Sequence, residues 1–120
     1  MSDAVLNGSC HCGSVTFEIA AEPEFLLECN CSICRRLSTH WAYSNKVPVT
    51  LNAPEGSTIA YSWGDKMLAF HSCKTCGCTT HWSSHIDDKV AVNCKLCPPE
   101  QTKNIRVRHF DGADTWEFLD

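Results

Sequence analysis

Cys29-Asn30-Cys31-Ser32-Ile33-Cys34-Arg35-Arg36 decides whether this chain is a disulfide scaffold or a domain stapled by metal. Three thiols fall within six residues, and two guanidinium groups follow at once. Packing alone does not call for that density of sulfur. A short turn carrying three sulfurs grips one face of a metal ion and cannot easily add a fourth ligand from the same turn. Structural zinc is closed by four protein ligands, whereas catalytic zinc keeps three and leaves one position for water or substrate. The stretch therefore reads as an open metal site.

The rest of the chain supports metal over disulfides. Ten cysteines in 120 residues approach the density at which disulfide scaffolds or metal sites are expected. Disulfides require an oxidising compartment. The opening Met1-Ser2-Asp3-Ala4-Val5-Leu6-Asn7-Gly8 has neither the basic nor the apolar part of a signal peptide. No apolar run approaches the roughly 18 residues of a membrane span. A cytoplasmic protein with reduced thiols is expected. Cys10/Cys12, Cys29/Cys31 and Cys76/Cys78 are each separated by a single residue, and disulfide rings that tight are strained. The formal net charge is -4, and bound thiolates lower it further. Generic binding to a polyanion needs the opposite balance, so a nucleic-acid partner is not expected.

Several short strands follow from alternation and turn residues. Val15, Phe17 and Ile19 alternate with polar neighbours over 14–19. Further strands are expected over 25–28, 41–44, 47–51, 59–63, 66–71, 79–83, 89–94 and 105–110. Ser32 to Leu37 is expected to form one helical turn with Ser32 as its N-cap. Pro98-Pro99-Glu100-Gln101 is expected to be a loop, and Asp111-Gly112 a turn. No helical periodicity, repeat or linker divides the chain. An all-β fold in a single zinc-binding domain over 1–120 is predicted, its small core stapled by metal.

Two cysteine pairings fit the spacing. Cys73-x2-Cys76 with Cys94-x2-Cys97 matches a zinc ribbon. That leaves Cys10, Cys12, Cys29, Cys31 and Cys34 for another site, one too many for a closed tetrahedron. Alternatively, Cys10, Cys12, Cys73 and Cys76 close one four-sulfur site and Cys29, Cys31 and Cys34 form a three-sulfur site. Cys78, Cys94 and Cys97 are then left over as buried thiols or a minor metal site.

The run Gly8-Ser9-Cys10-His11-Cys12-Gly13-Ser14-Val15-Thr16-Phe17-Glu18 resembles the opening motif of the glutathione-dependent formaldehyde-activating enzyme family, also called the Gfa or centromere-protein-V family. So do the CxCxxC stretch, Phe70-x-x-Cys73-x-x-Cys76-Gly77, and the segments Val92-Asn93 and Arg108-His109-Phe110-Asp111-Gly112. This resemblance implies a β-tent of short antiparallel sheets and two zinc ions per chain. It implies that Cys10, Cys12, Cys73 and Cys76 hold a structural zinc, and that Cys29, Cys31 and Cys34 hold a catalytic one. It also implies a carbon–sulfur lyase that joins glutathione and formaldehyde to S-hydroxymethylglutathione, and reverses that step.

Zinc bound by three thiolates carries a net charge of -1 and is a poor Lewis acid toward water. It remains a good seat for a thiol, which coordination deprotonates. Arg35 and Arg36 are candidate contacts for glutathione carboxylates. His40, His71 and His81 are candidate acid–base groups. Trp41, Trp63, Trp82 and Trp116 are expected in the core and at its rim, with one or two walling a pocket. The alternatives are a non-catalytic zinc module for a protein or nucleic-acid partner, with both sites closed, and a metal or redox buffer using the spare thiols.

Overall fold

Alternation along the chain becomes two β-sheets in the computed structural model, which describes residues 4–120. The first three residues of the N-terminal stretch read above lie outside the described residues. The strands are β1 (Leu6–Ser9), β2 (Thr16–Ile19), β3 (Leu26–Cys29), β4 (Trp41–Tyr43) and β5 (Val49–Asn52). They continue as β6 (Thr58–Tyr61), β7 (Leu68–Cys73), β8 (Thr79–Ser84), β9 (Val90–Asn93) and β10 (Val107–Phe110). Two single helical turns, α1 (Cys34–Leu37) and α2 (Pro99–Thr102), and a 3-10 turn over Cys94–Leu96 complete the secondary structure. No helix of the described residues is long and apolar enough to cross a membrane.

The smaller sheet has the order β1-β2-β5 and the larger β10-β3-β4-β9-β8-β7-β6. In β2 the alternation is obeyed closely. Phe17 and Ile19 are buried while Glu18 is exposed. Val15, Phe17 and Ile19 point inward because a strand places every second side chain on one face.

Strand β1 was not expected, because Asn7, Gly8 and Ser9 carry no strand signal. It forms opposite β2, where Gly8 faces Phe17. The Phe17 ring lies directly on the Gly8 backbone, and a β-carbon there would fall 2.0 Å from the ring. Only glycine admits that cover.

Three further expectations are corrected. The pairings are antiparallel except for β10, which runs parallel to β3, setting Val107 beside Leu26 and Phe110 beside Cys29. This brings a late segment of the chain against the CxCxxC stretch. Ser32 does not cap α1. The helical turn begins after Ile33 without a side-chain cap, and the Cys31 sulfur instead accepts the Cys34 N–H at 3.4 Å. Pro98 to Gln101 is not all loop, since Pro99 opens α2, where a missing N–H costs nothing.

Among the described residues the interior has three clusters. Leu6, Phe17, Ile19, Leu26, Val92 and Ile105 lie between the sheets. Leu27, Trp41, Phe70, Trp82 and Ala91 form a second cluster that includes Cys29 and Cys34. Cys10, Val15 and Cys73 form a third, small cluster. Cysteine is thus part of each one.

Candidate functional site

Two thiol clusters come together, and both follow the long-range pairing. The sulfurs of Cys10, Cys12, Cys73 and Cys76 all lie within 4.8 Å of one another, as do those of Cys29, Cys31 and Cys34. All ten cysteines are free thiols. No zinc ribbon forms. Cys94 and Cys97 instead lie in the core with Leu6 and Phe17, where the neighbouring Cys97 sulfur and burial hold the Cys94 thiol neutral. Cys78 packs beside Cys10 and Cys73 without joining their cluster.

The four-cysteine set joins two knuckles. After β1 the chain turns back so that Cys10 N–H meets the Val15 carbonyl at 3.0 Å, with Gly13 at a φ of 85°. The second turn follows β7. Cys73 N–H donates to the Cys78 carbonyl at 2.9 Å, and Gly77, at a φ of 83°, donates to the Cys73 carbonyl at 2.8 Å. Both glycines occupy the left-handed region that L side chains rarely enter. The Cys12 sulfur lies 3.7 Å from that of Cys10 and 3.6 Å from that of Cys73. Tetrahedral zinc with sulfurs at about 2.3 Å separates them by roughly 3.8 Å, whereas a disulfide requires about 2.05 Å. Backbone N–H groups, Cys78 first and then Cys12, bring the Cys76 thiol down to about 5. Cys12 is lowered as well, chiefly by Ser14. This donor set fits a closed metal site.

The three-cysteine set stands at the end of β3 and the start of α1. Cys29 and Cys34 are buried, and Cys31 is partly exposed. The Cys31 N–H points at the Cys29 sulfur at 3.5 Å, and the Cys34 N–H at the Cys31 sulfur at 3.4 Å. The Cys29 thiol is lowered to about 6, first by Cys34, then by the N–H groups of Cys31 and Gly112 against opposing burial. Cys34 is raised, first by sharing its proton with Cys29 and then by burial.

Two features of this site were invisible in the sequence. Gly112 lies so close that a β-carbon on it would stand 2.5 Å from the Cys29 sulfur and 3.3 Å from the Cys31 β-carbon. Trp41 is 1% exposed, and its indole N–H is buried without a conventional hydrogen-bond partner. It lies beside the Cys34 sulfur and favours the thiolate there. Three convergent thiols, with backbone N–H groups and the buried Trp41 indole N–H turned toward them, fit a metal-bound thiolate cluster. Among the described residues no fourth His, Cys, Asp or Glu joins it.

A loop from the end of the chain is tied onto this turn. Asn30, between Cys29 and Cys31, donates from its side-chain amide to Asp111 Oδ1 at 3.0 Å and accepts the Ala113 N–H at 3.0 Å. The second Asp111 oxygen accepts from Thr115 N–H at 3.2 Å and Oγ1 at 2.9 Å. These bonds, that from Asn30 foremost, lower the Asp111 carboxyl. The Trp116 N–H donates to the Asp111 carbonyl at 2.8 Å, and Trp116 sits at a φ of 61°, a strained value for a bulky residue, edge-on to Phe110 with centroids 5.1 Å apart.

The three sulfurs face a cavity of about 720 Å³. Trp41 and Trp82 form its inner wall with Tyr43 and Phe70, and Trp63 and Trp116 stand at its mouth. All four tryptophans therefore line one space, beyond the one or two expected. Burial, with the thiols adding, keeps the Tyr43 phenol protonated well above the ordinary range.

The other candidates lie elsewhere. Arg35 borders a separate depression of about 400 Å³ behind Cys29 and Cys34. Arg36 donates to the Ser32 carbonyl at 2.7 Å. Neither lines the tryptophan cavity. His40 pairs with Glu28 at 2.8 Å. His71 and His81 stack on each other with centroids 4.3 Å apart. None of these histidines reaches the cavity.

A family model described as glutathione-dependent formaldehyde-activating enzyme matches residues 5–108. Among solved structures, a crystal structure of a Rhodobacter sphaeroides protein superposes with a TM-score of 0.64 at 23% identity. The match covers 84% of this chain and 98% of that one, and it shows a shared fold.

Proposed function

The chain belongs to the glutathione-dependent formaldehyde-activating enzyme family, and from that premise we propose that it is a zinc-dependent carbon–sulfur lyase acting on thiol–aldehyde adducts. Residues 1–120 then act as one domain of that type, in a reducing compartment such as the cytoplasm. Cys10, Cys12, Cys73 and Cys76 hold a structural zinc. Cys29, Cys31 and Cys34 hold the catalytic one. The observation that carries this reading is the contrast between the two clusters: one has four sulfurs, and the other has three and opens on a cavity.

Zinc held by Cys29, Cys31 and Cys34 would supply the chemistry that lets an incoming thiol lose its proton at neutral pH. The chain's own groups do the rest. N–H groups of Cys31 and Gly112 favour the charged form of the Cys29 sulfur, and the Cys34 N–H points at the Cys31 sulfur. The aromatic walls exclude water and position the aldehyde near the incoming sulfur. Tyr43 lines the cavity, its phenol stays protonated, and in this reading it donates a hydrogen bond to the aldehyde oxygen as that oxygen gains charge. The thiol loses its proton to solvent, a carbon–sulfur bond forms at the carbonyl carbon, and the oxygen takes up a proton. The product is a thiohemiacetal, and no oxidant is consumed. The reverse step breaks the same bond.

The test is the rate of thiohemiacetal formation from a panel of thiols and aldehydes, wild type against Cys31→Ser. Loss of the catalysed rate in the variant is expected. Equal rates above background in both proteins would refute it. X-ray absorption at the zinc edge gives a second check, since a fourth protein ligand at the second site would leave no seat for a thiol.

A further inference from the structure

We propose that the cavity above Cys29, Cys31 and Cys34 takes a ligand with an uncharged, aromatic body: an aryl or arylalkyl thiol and its aldehyde adducts, in place of glutathione. This rests on the reading that the three-cysteine site receives a thiol, and it names the class of that thiol.

Charge argues first. Apart from the thiols, Asp65 is the only charged side chain lining the cavity among the described residues. Its Oδ1 already accepts the Met67 N–H at 3.0 Å. No lysine, arginine or histidine lines the space. Glutathione carries two carboxylates, and burying them here would strip their water with no cation to replace it. Arg35 borders the depression behind Cys29 and Cys34 and is not in the cavity wall, and Arg36 donates to the Ser32 carbonyl.

The walls argue second. Four tryptophans arrive from four parts of the chain: Trp41 on β4, Trp63 between β6 and β7, Trp82 on β8 and Trp116 after β10. Ordinary core packing explains Trp41 at 1% exposed and Trp82 at 9%. It does not explain Trp63 at 43% or Trp116 at 71%, both at the mouth of the cavity. Trp116 is moreover held there at a strained positive φ, a cost that structures keep where a ligand is clamped. Large exposed rings around a hollow lined mainly by apolar side chains offer their faces to another ring.

Size argues third. About 720 Å³ lies within the range of pockets that enclose a small organic molecule. Formaldehyde with a small thiol would leave most of it to water.

The experiment titrates the metal-loaded protein by tryptophan fluorescence and calorimetry with phenylmethanethiol, phenylmethanol, 2-mercaptoethanol and glutathione. Phenylmethanethiol is expected to bind roughly tenfold tighter than glutathione or 2-mercaptoethanol, the gain of one or two ring contacts. Trp63→Ala and Trp116→Ala are each expected to weaken it severalfold with the metal count unchanged. The proposal is overturned if glutathione binds as tightly as phenylmethanethiol, or if both tryptophan variants bind the aromatic thiol as wild type does. Phenylmethanol binding as well as its thiol would support the aromatic cavity and refute thiol capture at the three-cysteine site, which separates the two failures.

Discussion

Gly112 stands against Cys29 with no room for a side chain between them: a β-carbon on the glycine would lie 2.5 Å from the sulfur, nearer than such atoms come in real proteins. Its N–H also supports the Cys29 thiolate. The late β10 strand, parallel to β3, delivers this contact. Gly112→Ala must therefore push the 111–116 loop off the three-cysteine turn. Metal affinity at that site is expected to fall roughly tenfold or more, as when groups supporting metal ligands are removed. The four-cysteine site should keep its ion. Metal counts after a graded chelator challenge check this, and a simultaneous loss of both ions would contradict it.

The Asn30–Asp111 pair makes a second prediction. Asn30→Ala removes both the bond to the Asp111 carboxylate and the acceptor of the Ala113 N–H. The loop is then held by fewer bonds, and Ala113 amide exchange should speed up roughly fivefold to tenfold, the equivalent of one modest hydrogen bond. Exchange in β8 and β9 should stay as it is. Unchanged exchange at Ala113 would mean that β10 alone holds the loop.

Cysteine substitutions separate the two pairings that the spacing allowed. Cys97→Ala should leave the metal count unaltered and cost about 1 kcal/mol of packing, since Cys97 lies in the core away from both clusters. Cys73→Ser should remove the closed site. Structural zinc contributes on the order of 10 kcal/mol to small metal modules, so this chain should fail to fold. Metal loss in Cys97→Ala would restore the ribbon.

Acid stability follows from His81. Burial, and then the adjacent His71, lower its ring to about 4 from an ordinary value of 6.5. The folded state thus holds it neutral while the unfolded chain protonates it near 6.5. Its stabilising effect is complete above pH 6.5 and drains away as pH falls from 6.5 to 4, by about 3 kcal/mol in all. His81→Gln should show a shallower loss over that window than wild type. Comparing the two acid-unfolding curves removes the contribution of metal release, which both share. Parallel curves would show that His81 titrates normally.

Much of this was legible because sheets and metal knuckles are local. The alternation at Val15, Phe17 and Ile19 and the CxC and CxxC spacings announce themselves within a few residues. The grouping of thiols into four and three is not local, and the spacing of Cys94 and Cys97 pointed the wrong way because a buried hydrogen-bonded pair carries the same signature as a knuckle. The roles of Gly112, Asn30 and Asp111 depend on the parallel pairing of β10 with β3, which no short window contains. Strand β1 was hidden because its glycine is selected by the ring lying on it. The meeting of four tryptophans was hidden for the same kind of reason, as each sits in a different stretch.

The order of the sulfurs along the chain bears on biosynthesis. Cys12 and Cys73, neighbours in the closed cluster, are 61 residues apart, whereas Cys29, Cys31 and Cys34 leave the ribosome almost together. A nascent chain, emerging N-terminus first, thus offers a complete sulfur tripod while the other cluster is still half made. The first ion captured during translation is expected to be the one that later faces substrate, with the ion that closes the sheet following when β7 emerges.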